Sequence, residues 1–101
     1  EETFAPIVSI VSYETLDDAI AHVNNSNLGL NAGIYTNVLT DAMRAADELE
    51  AGAVIINDIP TFRVDNMPYG GVKMSGYGKE GIKYAVEEMT NLKFITIKTI
   101  F

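Results

Sequence analysis

Three short apolar runs alternate with two helical patterns along the first 56 residues, and this alternation constrains the fold more than any other feature. The runs cover residues 6–13, 30–36 and 53–56, and the first and third are rich in Val and Ile. Such continuous β-branched runs are typical of strands that are buried on both faces, as in parallel sheets. The order strand–helix–strand–helix–strand therefore predicts an α/β fold: a βαβαβ, mainly parallel sheet with flanking helices.

Both intervening helices have identifiable apolar stripes. In the first, Thr15 is a candidate N-cap, and Leu16, Ile20 and Val23 recur at helical spacing before the turn-forming residues 24–27. The second helix begins between residues 37 and 41, where both Asn37 and Thr40 can act as caps. We expect it to direct four apolar side chains inward: Leu39, Met43, Ala46 and Leu49.

The second half of the chain opens with a long connection. Residues 57–79 carry two of the three Pro and four of the eight Gly. A loop of this length inside a domain is usually functional or disordered. A third helix is predicted over residues 80–90, and the β-rich tail from Leu92 to Phe101 is predicted to be a C-terminal edge strand that needs a partner.

Composition excludes several classes of protein. Seven Lys and Arg against fourteen Asp and Glu give a net charge of −7, so nucleic acid and anionic membranes are not expected partners. The chain has no Cys, which excludes disulfides, thiolate zinc sites and a thiol nucleophile. No apolar run reaches the ~18 residues of a membrane span, and no signal peptide is visible. We therefore expect a cytoplasmic protein, and the near-terminal first strand suggests a piece of a longer chain.

Two nucleotide-binding strings occur by coincidence. Residues 76–81 match G-x-G-x-x-G, but a loop rather than a strand precedes them, and the chain ends about 20 residues later, where the ribose-binding acid is required. Residues 71–76 have P-loop spacing, but Tyr77 stands where that motif requires Lys. Neither string is interpreted as a phosphate site.

A wider set of motifs carries a family resemblance. The run PYGGVKMSGYGKEG (residues 68–81) occurs together with EETFAP (1–6), LGL (28–30), AGAVIIN (51–57) and EMTNLK (88–93). In this order the motifs resemble the C-terminal part of the aldehyde dehydrogenase superfamily. Within it, the segment NDIPTFRVD (57–65) is most similar to lactaldehyde and non-phosphorylating glyceraldehyde-3-phosphate dehydrogenases.

The resemblance implies an NAD(P)⁺-dependent oxidoreductase with a small aldehyde as substrate. In that family a Cys thiolate attacks the aldehyde, nicotinamide is reduced, and water hydrolyses the thioester. Residues 1–91 would then be the later part of the catalytic domain, and residues 92–101 the oligomerisation strand of a homo-oligomer. The isolated chain would be inactive without the remainder of the parent enzyme. The alternative is a free-standing α/β interaction module without catalysis.

The resemblance also assigns two cofactor-binding residues. Glu2 would bind the hydroxyls of the nicotinamide ribose, and Phe4 would pack beside the cofactor. The spacing suits this role, because residues i and i+2 of an extended segment point the same way. The alternatives are a solvated acid for Glu2 and a core contact beside Pro6 for Phe4. Ala5 stands where the family most often has Gly.

Three loop residues are placed around the aldehyde tunnel by the same resemblance: Phe62, Arg63 and Tyr69. The guanidinium of Arg63 can bind a carboxylate or phosphate on the aldehyde through paired hydrogen bonds. The alternative is an ion pair with Asp65 or Asp58.

The sequence supplies no catalytic residue and no metal site. His22 lies off the stripe of the first helix, so we expect it to be exposed, and a single His builds neither a triad nor a metal centre. Lys73 can touch a ligand, but a surface ammonium is the ordinary case. Gly70, Gly71, Gly76 and Gly78 are interpreted as residues that the backbone geometry requires.

Overall fold

The computed structural model describes residues 2–100 and contains three helices and four short strands within them. In chain order these are α1 (Leu16–Asn24), β1 (Leu28–Gly29), β2 (Asn31–Ile34), α2 (Leu39–Glu48), β3 (Ala53–Ile56), β4 (Val72–Lys73) and α3 (Ile82–Met89). None of the helices described is both long enough and apolar enough to cross a membrane.

The parallel unit predicted from the sequence forms around β2, α2 and β3. Strands β2 and β3 pair in parallel, with Asn31 opposite Ala53 and Ile34 opposite Ile56. Helix α2 is the crossover between them, as a parallel connection requires. The α/β fold class is therefore confirmed. Within the loop predicted over residues 57–79, β4 pairs antiparallel with β1, which the sequence pattern did not reveal.

The N-terminus of α1 is fixed by a capping box. The Thr15 hydroxyl accepts a hydrogen bond from the Asp18 backbone N–H at 3.1 Å, and the Asp18 carboxylate accepts one from the Thr15 N–H at 3.1 Å. This satisfies two backbone donors that a helix start leaves unpaired. The predicted cap of α1 is confirmed. Helix α2, in contrast, has Val38 at its N-cap and no side-chain cap, so neither Asn37 nor Thr40 acts as one.

The core is small, and α2 contributes to it through alanines. The buried apolar residues are Ile20, Ala42, Ala45 and Ile55. The predicted stripe of α2 is wrong in phase, because Leu39 and Met43 are 75% and 60% exposed. The helix faces α1 and β3 with its small side chains, which permits a close approach and turns the larger ones outward.

An ion-pair network on the surface links the two helices. The Arg44 guanidinium binds the Asp17 carboxylate of α1 and, at 2.7 Å, the Glu48 carboxylate one turn along α2. Hydrogen bonds to Glu48 first and to Asp17 second hold the pKa of Arg44 above its usual value. The network therefore spans the α1–α2 contact.

The two predicted outer strands do not form within residues 2–100, and Phe101, the last residue of the predicted tail strand, lies outside the described residues. Residues 6–13 and 91–100 have no regular secondary structure, and their apolar side chains are exposed, for example Ile10 at 93% and Phe94 at 91%. A strand needs a neighbour to pair its backbone N–H and C=O groups, and no other described segment supplies one. The apolar side chains of both segments therefore remain outside the packed core. The radius of gyration is 19.1 Å, against the ~13 Å of a compact chain of this length.

Candidate functional site

The Gly-rich loop is held in place by glycines at positions of close approach. A Cβ at Gly71 would come within 2.5 Å of the Ser75 side chain, and Gly78 has a φ of 70°, which side-chain-bearing residues rarely adopt. The Ser75 hydroxyl accepts a hydrogen bond from the Gly29 N–H at 2.9 Å, which joins the loop to β1. These contacts agree with the backbone role predicted for the loop glycines.

Lys73 is a structural cation at the centre of this framework. Its ammonium donates to the carbonyls of Asn24 and Ser26 at 2.8 and 2.9 Å and pairs with the Glu50 carboxylate at 2.6 Å. The side chain is only 24% exposed. The prediction of a surface ammonium is therefore wrong. All three donors of the ammonium are directed at protein oxygens. The backbone of Lys73 has a positive φ of 53°.

Asn24 reinforces the same junction from the end of α1. Its side-chain amide donates to the Glu48 carbonyl at 2.7 Å and accepts from the Glu50 N–H at 2.9 Å. One hydrogen-bond network thus joins the C-terminal ends of α1 and α2 to β4. Sequence reasoning missed it, because no spacing rule links residues this far apart.

Glu2 lies next to this junction. It lines an open concave surface of about 500 Å³ together with residues of β1, β2 and the loop, among them Gly29, Met74 and Ser75. An exposed carboxylate beside a concave surface suits a ligand with paired hydroxyl groups. Phe4 is 97% exposed, so the alternative of a core contact beside Pro6 is wrong.

Arg63 and Tyr69 are brought together by the loop. The Arg63 Cζ lies 4.3 Å from the centroid of the Tyr69 ring, in cation–π geometry, and the guanidinium is half exposed. One Arg63 nitrogen lies 3.5 Å from the Glu80 carboxylate. Among the described residues the ion pair of Arg63 is thus with Glu80, and the alternative of a pair with Asp65 or Asp58 is wrong.

Glu80 is also joined to Tyr69 through the backbone. The Tyr69 N–H donates to the Glu80 carbonyl at 3.1 Å, and the Glu80 N–H donates to the Tyr69 carbonyl at 2.6 Å. This isolated antiparallel bridge closes the loop and sets the aromatic ring beneath the guanidinium. Glu80 was not among the residues singled out from the sequence, and the only signal for it is its place at the end of the Gly-rich run.

Phe62 occupies a separate position. It is 47% exposed and lines an open cavity of about 370 Å³ with the residues of β3, Asp58 and Met67. Of the three predicted tunnel residues, the structure therefore pairs Arg63 with Tyr69 and places Phe62 against the sheet. His22 is exposed, as predicted, and within residues 2–100 no three His, Cys, Asp or Glu side chains cluster in a way that would hold a metal ion.

A family profile described as the aldehyde dehydrogenase family matches residues 1–95. The chain belongs to the aldehyde dehydrogenase family. The resemblance inferred from the spaced motifs is confirmed, and the short α/β framework described above is this family's.

Individual relatives agree with this assignment. The chain is 54% identical over 99 residues to a lactaldehyde dehydrogenase of Methanococcus maripaludis, covering 98% of this chain and 21% of that one. It therefore spans about a fifth of the length of the curated relatives it matches.

Two solved structures have a similar backbone over the matching segment. The glyceraldehyde-3-phosphate dehydrogenase of Methanocaldococcus jannaschii, complexed with NADP, superposes with a TM-score of 0.72 at 49% identity, over 76% of this chain and 17% of that one. A salicylaldehyde dehydrogenase of Pseudomonas putida, complexed with salicylaldehyde, gives a TM-score of 0.86 at 34% identity over all of this chain and 21% of that one.

Proposed function

We propose that this chain forms one wall of the active site of an NAD(P)⁺-dependent aldehyde dehydrogenase that oxidises a small aldehyde to a carboxylic acid. The family match over residues 1–95 carries the proposal. The sequence has no Cys, so the thiol that attacks the aldehyde belongs to polypeptide outside this chain. The isolated chain accordingly reduces no NAD(P)⁺.

The cofactor contact in this proposal is made by Glu2, with Phe4 beside it. Nicotinamide accepts the two electrons of the oxidation when it is bound. The chain's own part is to orient the cofactor: the Glu2 carboxylate accepts hydrogen bonds from the ribose hydroxyls, and the Phe4 ring covers an apolar face. The exposed position of both residues and the concave surface next to Glu2 fit a large ligand arriving from outside the chain.

The substrate class in this proposal is an anionic aldehyde, held by Arg63. The Tyr69 ring lies 4.3 Å from the Arg63 Cζ, and the guanidinium remains accessible to a ligand because the Arg63 side chain is half exposed. A planar fork of donors binds a carboxylate or phosphate through two parallel hydrogen bonds. In this proposal Phe62 contributes a separate apolar surface beside β3.

The tail from Leu92 to Phe101 is the proposed oligomerisation strand of a homo-oligomer, following residues 1–91 of the catalytic domain. Support comes from its exposed apolar residues, with Leu92 fully exposed and Ile97 at 86%. Such a segment pairs readily with a strand edge of another subunit.

The test of the cofactor wall is Glu2→Gln in the full-length enzyme. The amide retains shape but loses the charge, so hydrogen bonds to the ribose weaken by about 1–2 kcal/mol. We expect the KM for NAD(P)⁺ to rise roughly five- to thirty-fold, while the KM for the aldehyde changes little. Glu14→Gln, another exposed acid, is the matched control. An unchanged cofactor KM would contradict the assignment.

A further inference from the structure

The Arg63 guanidinium already has an anion at its side. Its Nη2 lies 3.5 Å from the Glu80 carboxylate, whose side chain is 70% exposed. Among the described residues, Glu80 is the one acid within ion-pair distance of Arg63. The cation that would bind a substrate anion is thus partly neutralised at rest.

The pair is too long to be a strong contact. Charge-assisted hydrogen bonds between guanidinium and carboxylate are usually about 2.7–2.9 Å long and are often bidentate. Here the recorded contact is a single one at 3.5 Å, and both side chains are largely solvated. A pair of this kind contributes little to stability. A better-placed carboxylate or phosphate can therefore displace Glu80 from Arg63.

Displacement leaves Glu80 close to the incoming anion. Its backbone is fixed by the reciprocal bridge to Tyr69, and Tyr69 lies under the guanidinium. Because the backbone is fixed, the Glu80 carboxylate can move only by rotation of its own side chain. Its negative charge therefore stays near the substrate anion. A like charge at this distance disfavours binding.

We propose that Glu80 is a specificity-determining residue: it is the resting counter-ion of Arg63, and it lowers the enzyme's preference for anionic over neutral aldehydes. The inference rests on the proposed binding of anionic aldehydes by Arg63. A neutral aldehyde leaves the Arg63–Glu80 pair intact, whereas an anionic one has to replace it.

The test is Glu80→Gln in the full-length enzyme, with glyceraldehyde 3-phosphate as the anionic aldehyde and lactaldehyde as the neutral one. The readout is the ratio of kcat/KM for the two substrates. We expect the ratio to rise about two- to five-fold at low ionic strength and the rise to shrink as salt is added. Gln is nearly isosteric with Glu, and the bridge to Tyr69 is made by backbone atoms, so folding is preserved.

Asp65→Asn is the matched control, because it changes the charge by the same amount two residues from Arg63 without touching the ion pair. The ratio should stay unchanged in this variant. Equal rises in Glu80→Gln and Asp65→Asn, or no rise in either, would overturn the role of Glu80.

A double-mutant cycle distinguishes the role of Glu80 from the proposed binding of anionic aldehydes by Arg63. In an Arg63→Gln background, Glu80→Gln should no longer raise the ratio, and a rise that persists there would overturn the counter-ion role. If Arg63→Gln lowers the ratio while Glu80→Gln leaves it unchanged, the inference about Glu80 fails and the function of Arg63 stands. If Arg63→Gln leaves the ratio unchanged, the proposed binding of anionic aldehydes fails.

Discussion

Residues 6–13 and residues 53–56 have nearly the same apolar, β-branched character, but only the second segment forms a strand. Ala53–Ile56 pairs with β2 and buries Ile55. In residues 6–13 the equivalent side chains are exposed, with Ile10 at 93%. The difference lies in the pairing, because β2 forms a parallel ladder with β3, whereas no described segment pairs with residues 6–13.

Strand formation depends on the local sequence and also on the segments that pack beside it. An apolar run specifies that a segment is able to join a sheet. Whether it joins depends on a second strand and on a covering layer. In this chain the helix α2 provides the layer for β3.

The largest difference in stability is expected between Ile55→Ala and Ile10→Ala in this chain. Loss of the buried Ile55 side chain should lower the free energy of unfolding by about 2–5 kcal/mol. Loss of the exposed Ile10 side chain should change it by less than about 0.5 kcal/mol. Urea unfolding followed by circular dichroism measures both. Similar losses would show that residues 6–13 are packed after all.

A smaller loss of stability is expected at the junction where Lys73 and Asn24 join the ends of α1 and α2 to β4. Lys73→Met removes an ion pair with Glu50 and two hydrogen bonds to carbonyls while it retains most of the apolar stem. We expect a loss of about 1–3 kcal/mol in the same unfolding experiment. Lys93→Met, in the exposed tail, is the control and should be nearly neutral. Equal effects of the two substitutions would remove the central role given to Lys73.

The smallest effect is expected at the helix caps. Thr15→Ala should cost about 1 kcal/mol, because it breaks the capping box of α1. Thr40→Ala should cost nothing, since Thr40 lies within α2 and does not cap it. The Tm from thermal unfolding distinguishes the two variants. A loss at Thr40 equal to that at Thr15 would mean that α2 begins differently.

Some signals that lie within a few residues were read correctly from the sequence, whereas the caps predicted for α2 were wrong. Thr15 caps the start of α1, and the Val and Ile run predicts β3. The phase of α2 was missed, because burial of Ala42 and Ala45 depends on how closely the helix approaches α1 and β3. Local pattern favours large apolar residues in the core, whereas the packing uses small ones.

The candidate site divides in the same way. Arg63 and Tyr69 were identified through motifs, and the structure brings them into contact. Glu80 and the Lys73 junction were missed, because each depends on a loop bringing distant residues together. The positive φ of Lys73 is not encoded by a glycine, so no sequence signal marked the turn there.

The claim that this chain supplies the wall that recognises an anionic aldehyde is tested most directly by Arg63→Ala in the full-length enzyme. The measurement is kcat/KM for glyceraldehyde 3-phosphate and for lactaldehyde, each with saturating NAD(P)⁺. We predict a loss of roughly ten- to a hundredfold for the anionic aldehyde, because a charge-assisted hydrogen-bond pair is removed, and little change for the neutral one. Equal losses on both aldehydes would contradict the account.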